Sequence, residues 1–109
     1  MAKQICFSYK GESYTLEFTR RSVETLETKG FDLHDIVRKP VTAIPTLFSG
    51  AFLAHHRFTK QAVVDEIFKS IRNKDQLIDK LVEMYNEPID AMMEEPEESE
   101  GNVDWGASW

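Results

Sequence analysis

The side chains that could do chemistry in this chain are few. His55 and His56 adjoin each other, His34 stands between Asp32 and Asp35, Cys6 is the single cysteine, and carboxylates crowd Glu94–Glu100. A metal site on a helix needs ligands about one turn apart, whereas neighbouring positions point about 100° away from each other. His55 and His56 therefore do not converge on one ion, and neither has a histidine or carboxylate at i+4 to complete a set. A protonated imidazole near a helix C-terminus is stabilised by about 0.3–1 kcal/mol, which is the reading their place at the end of an apolar helix favours. His34 reads as a surface residue of a short helix. Cys6 has no second cysteine for a disulfide or zinc pair and reads as a packed residue of a reducing compartment. The acidic run lacks the Asp-x-Asp-x-Asp-Gly spacing of a calcium loop and reads as solvated charge. No nucleophile has a base and an orienting acid at a recognisable spacing, and there is no glycine-rich phosphate loop. The expectation is no catalytic residue, no metal and no cofactor.

What remains is surface for partners. The stretch PVTAIPTLFSGAFLAHHRF, Pro40–Phe58, is the densest apolar run and is expected to form one central helix, with Thr42 as N-cap and Pro45 in the first turn. Its apolar residues cover more than a one-sided stripe, so it should have neighbours on two sides or an exposed flank. Phe48 and Phe52 have the helical aromatic spacing of core residues, the reading that spacing favours, and are also candidate partner-binding residues should that flank be exposed. Ser49, Gly50 and Ala51 form a notch of small residues that would let a second helix approach closely.

The other elements are arranged around this helix. Residues 4–9 and 12–18 alternate apolar and polar side chains, and a two-residue turn at Lys10–Gly11 would set Phe7 opposite Tyr14 and Ile5 opposite Leu16. Thr19 should cap a helix, with Phe18 and Val23 stapling its start; Gly30 and Phe31 should close it in a Schellman motif over Leu26. Asp32 can cap a short helix that buries Phe31, Leu33, Ile36 and Val37. Thr59 can cap a further helix to Ile71, and Asn73 begins another, expected to pair antiparallel with it and to be interrupted at Asn86, Glu87 and Pro88. The fold class is α+β, with an N-terminal antiparallel hairpin on a bundle of four or five helices over residues 1–93.

Of 109 residues, 41% are apolar and 29% charged, with a net charge of −6. All the lysines and arginines lie between Lys3 and Lys80, so residues 1–86 carry +2 and residues 87–109 carry −8. This balance argues against nucleic-acid binding, which draws on Lys and Arg neutralising phosphates. No run approaches the length of a membrane span, no secretory signal is visible, and a cytoplasmic protein is expected. Residues 94–109 are expected to be a disordered acidic tail. Yet that tail holds Trp105 and Trp109, which look like anchors for a hydrophobic site and are the other two candidate partner-binding residues.

The order of features is YKGESYTLEFTRRSVETLETKGFDLHDI, KPVTAIPTLFSGAFLAHH, DEIF, LIDKLVEMYNEPIDAM and an acidic tail with GNVDW. It resembles the small tail-assembly chaperones of long-tailed phages and of prophages of Gram-positive bacteria, over nearly the whole chain and through structural motifs. The resemblance implies a non-enzymatic protein of the bacterial host cytoplasm. Such a protein binds the tape measure protein and keeps that long, aggregation-prone chain soluble while the tail tube polymerises around it. The tail tube protein is a second implied partner, and self-association is a further expectation, through the Ser49–Ala51 notch. In related phages a longer form arises by frameshifting. The family offers no named binding residues to carry over, so Phe48, Phe52, Trp105 and Trp109 rest on the pattern of this chain alone. The alternative is a phage or prophage adaptor that binds a host target through the acidic tryptophan-bearing tail.

Overall fold

The computed structural model describes residues 3–94 and 103–108. Strands β1 (Ile5–Tyr9) and β2 (Glu12–Leu16) form an antiparallel hairpin in which Phe7 faces Tyr14 and Ile5 faces Leu16, the register that the alternation dictates. Lys10 and Gly11 both take positive φ, 49° and 82°, as a two-residue turn that follows the right-handed twist of the strands requires.

Helix α1 (Arg20–Thr28) begins at Thr19, whose hydroxyl accepts the Ser22 backbone N–H while the Ser22 hydroxyl accepts the Thr19 N–H. Serine thus fills the role that Glu or Gln usually takes in a capping box. The helix closes with Gly30 at φ 90°, the Phe31 N–H donating to the Leu26 carbonyl and the Gly30 N–H to that of Glu27. This is the Schellman pattern. The short α2 (Asp35–Arg38) follows, its approach fixed by Asp32, whose carboxylate accepts the His34 N–H at 2.8 Å. Val37, expected to be buried, is 85% exposed instead. A helix of four residues has no second turn to lay on the core, and Phe31, Leu33 and Ile36 already supply its inward contacts.

The central apolar stretch is two helices rather than one. Helix α3 (Pro40–Gly50) starts at Pro40, two residues before the expected Thr42 cap, with proline in the first position, where its missing N–H costs nothing. Pro45 consequently lies beyond the first turn. The chain then turns at Ala51–Phe52 and resumes as α4 (Leu53–His56). The break frees the Ala51 carbonyl, which accepts the Glu17 N–H at 3.1 Å from the strand end. An unbroken helix would have used that carbonyl for its own ladder.

Helix α5 (Gln61–Ser70) starts after Lys60 with no side-chain cap, so Thr59 does not serve as one; its N–H instead closes α4 by donating to the His56 carbonyl. Helix α6 (Lys74–Met92) enters through Asn73 at φ 57° and runs on through Pro88 without interruption. Pro88 removes one bond to the Met84 carbonyl, but Met84 and Tyr85 are buried before it, Ile89 packs on the core after it, and Glu87 is held by the Lys3 N–H. Packing outweighs the local breaker here. Helix α5 packs on α3, and α6 packs on α1 and α3, so the two meet chiefly through the central helix rather than as the hairpin expected.

Six helical segments thus stand on one hairpin among the described residues, an α+β fold. The core runs through Leu16, Leu47, Phe48, Ile67 and Leu81. Phe48 lies edge-on to both Phe52 and Phe68, and Tyr85 is clasped edge-on between Phe18 and Phe31, at 5.2 and 5.4 Å between ring centroids. The small-residue notch is filled from within the chain: Leu26 of α1 lies against Gly50 so closely that a β-carbon there would meet its Cδ1 at 2.5 Å. Residues 103–108 carry no regular secondary structure.

Candidate functional site

The two adjacent histidines are turned onto the hairpin. The His56 Nε2 accepts the Thr15 backbone N–H at 3.0 Å, and its ring lies 5.1 Å from that of Tyr14. Since an amide N–H can only donate, Nε2 is the unprotonated nitrogen and the ring's proton sits on Nδ1. His55 Nε2 donates to Glu17 Oε1 at 2.7 Å, and Gln4 donates to the same oxygen at 3.0 Å. The His55 bond, aided by Gln4, holds the Glu17 carboxyl below its ordinary pKa even though desolvation pushes the other way. Both imidazoles lie in the last turn of α4. No group of three metal-capable side chains occurs among the described residues.

His34 is exposed, its Nδ1 2.9 Å from Asp32. Asp32 is held below its ordinary pKa, first by the His34 backbone N–H. Cys6, expected to be packed, is exposed on the outward face of β1, because the alternation that turns Ile5 and Phe7 inward turns Cys6 out. At the hairpin's tip the Tyr9 hydroxyl and Lys10 Nζ both donate to Glu66 of α5, at 2.5 and 2.6 Å, tying the turn to the helices.

Of the four residues expected to bind partners, the three that are described are not brought together. Phe48 and Phe52 are 1% and 2% exposed and hold the core. Trp105 is 84% exposed, and Trp109 lies outside the described residues. The accessible apolar groups are others: Phe58 (90% exposed) beyond α4, Val41 on α3, and Met92 and Met93 at the end of α6. Met92 also lines a groove of about 250 Å³ between α1 and α6, floored by Val23, Pro88 and Ile89 and rimmed by Arg20, Glu24 and Glu27. Phe58 was legible as the end of the apolar run, but its exposure follows from the turn after α4, which no spacing rule marks.

A second, larger cavity of about 380 Å³ lies beside Gly50, where α3, α4 and the start of α5 meet the C-terminal end of α1. Among the described residues its ionisable lining is Lys29, His56 and Arg57, joined by the hydroxyls of Thr46, Ser49 and Thr59, with no carboxylate. Gln61 on its edge donates to both Ser49 and Asp65.

These features define a class: a small α+β protein with a buried aromatic core and recesses on its surface. Within that class the chain belongs to the family described as "Domain of unknown function (DUF5055)", whose model matches residues 1–109. No curated protein and no solved structure matches it.

Proposed function

We propose that this protein is a non-enzymatic tail-assembly chaperone that works in the bacterial host cytoplasm, binding the tape measure protein and keeping it soluble during tail tube assembly. The observation that carries the reading beyond the sequence resemblance is the groove between α1 and α6, continued by Met92 and Met93, which are 54% and 73% exposed. A holdase must offer apolar surface to amphipathic helices without a single fixed fit, and methionine is the side chain best suited to adapt to varied partners. The mixed charges of Arg20, Glu24 and Glu27 on the rim suit the polar flanks of such helices. The binding residues therefore move from Phe48 and Phe52 to Met92, Met93 and the groove floor.

Trp105 favours a second reading, the adaptor that binds a host target through its acidic tail, because an indole 84% exposed on a charged segment is a ready anchor. Co-expression with the tape measure protein encoded in the same gene cluster tests the first reading. Soluble tape measure protein that co-purifies with the chain, and is lost with Met92→Asp/Met93→Asp, supports the chaperone. Insoluble tape measure protein beside folded, free chain, with a tail-dependent host partner, would transfer the reading to the adaptor.

A further inference from the structure

The cavity beside Gly50 is anomalous in its charge. In a chain of net charge −6, its ionisable lining among the described residues is Lys29, His56 and Arg57, without a carboxylate. The Thr15 N–H occupies His56 Nε2, so the ring presents an Nδ1–H donor that meets no hydrogen-bond partner among the described residues. Just outside the cavity Arg57 lies over the ring of Phe58, 5.8 Å from its centroid, and Phe58 is 90% exposed. A cation followed by an open aromatic ring is the complement of an anion followed by one. The chain contains that complement: Asp104 and Trp105 adjoin each other in a segment, residues 87–109, that carries −8 and no lysine or arginine. In its own chain Trp105 is 84% exposed and so is seated on neither recess.

We propose that the cavity lined by Lys29, His56 and Arg57 is a receptor for the acidic, tryptophan-bearing C-terminal segment of a second copy of this chain. Carboxylates of the segment accept hydrogen bonds from Lys29, Arg57 and the His56 Nδ1–H, and an indole packs on Phe58 at the cavity's mouth. Charge directs the encounter and the aromatic contact supplies the anchor. The exchange links copies tail to cavity, and it leaves the groove between α1 and α6 open. It does not depend on the chaperone reading, and its test contains no tape measure protein.

Both tryptophans of the chain lie in the tail, so its intrinsic tryptophan emission reports the tail alone. In the full-length protein at low ionic strength, the emission is expected to move to the blue as concentration rises, in step with a dimer or larger species in sedimentation. Salt at about 1 M, where the screening length falls to about 3 Å, should reverse both. In Lys29→Gln/Arg57→Gln, the concentration at half-shift should rise at least about tenfold. Both residues are exposed, so the melting temperature should stay where it is. Mixing decides the geometry. A Lys29→Gln/Arg57→Gln chain supplies an intact tail, and a Trp105→Ala/Trp109→Ala chain supplies an intact cavity and no tryptophan signal. A blue shift on mixing supports the exchange. No shift on mixing, a shift in the wild type that is independent of concentration, or undiminished association of Lys29→Gln/Arg57→Gln would each overturn it.

Discussion

Gly50→Ala is the perturbation whose sign the structure fixes against the usual expectation. In an exposed helix interior, replacing glycine by alanine gains about 1 kcal/mol. Here the new methyl would lie 2.5, 3.0 and 3.1 Å from Cδ1, Cδ2 and Cγ of Leu26, which is itself 3% exposed. All three atoms of the isobutyl head are approached at once, and because Leu26 is buried in the core, swinging it aside drives it into other core side chains, so either its rotamer is strained or α1 shifts away from α3. Overpacking of this kind costs about 1–3 kcal/mol, which leaves a net loss of about 1 kcal/mol, or roughly 4–8 °C in melting temperature for a domain of this size. Leu26→Ala alone should cost about 3 kcal/mol through the cavity it opens. In that background Gly50→Ala should become stabilising by about 1 kcal/mol, because the methyl enters vacated space. The coupling between the two sites is therefore about 2 kcal/mol, well above what independent positions show. Urea unfolding followed by circular dichroism on the four proteins of the cycle measures it, with a constant slope confirming that the transition is the same. A wild-type background in which Gly50→Ala raises the midpoint would refute the close approach of α1 to α3.

Glu17, depressed by its bond from His55, contributes stability that is present above the unfolded carboxylate pKa and is lost as pH falls through its lower folded value. Glu17→Gln should flatten that part of the acid limb in a stability–pH profile. Tyr85 has the opposite sign: burial first, then Glu27 and Asp32, push its pKa up to about 12, so its contribution is whole below pH 10 and is lost as pH rises through about 12. A loss on the order of 2 kcal/mol is expected after a discount for solvent screening, and Tyr85→Phe, which keeps the ring between Phe18 and Phe31, should abolish it. His56→Ala leaves the Thr15 N–H without its acceptor and should cost about 1–3 kcal/mol by thermal melting, an effect that His56→Phe would not rescue. Deleting residues 94–109 should leave the melting temperature nearly unchanged, since Val103 and Trp105 are both exposed; a large drop would place tryptophan in the core.

The hairpin register and both ends of α1 were legible because each is set by residues within a few positions of one another: Lys10 and Gly11 at the turn, Thr19 at the cap, Gly30 and Phe31 at the close. The break at Ala51–Phe52 was not legible, because its gain is a bond to Glu17, distant in sequence. Pro88 misled for the same reason in reverse: the local rule interrupts the helix, but burial of Met84 and Tyr85 and the hold of Lys3 on Glu87 keep it whole. The helical spacing of Phe48 and Phe52 pointed to the core, where both lie, and the alternative of an exposed flank does not hold. The charge of the cavity beside Gly50 was invisible, since Lys29 and Arg57 meet only when α1 seats in the Ser49–Ala51 notch.

The outer edge of β2 is completed by a helix end: the Ala51 carbonyl takes the Glu17 N–H, and the His56 ring takes that of Thr15. The hairpin thus acquires the hydrogen bonding of a third strand without possessing one. Two strands alone are marginal in water, and the turn between α3 and α4 has little reason to exist without a strand to serve. The two halves of the chain therefore form a single cooperative unit, in which the opening of either exposes the other. In amide exchange, Thr15 and Glu17 should be released together with the residues of the helix break, on the timescale of global rather than local opening.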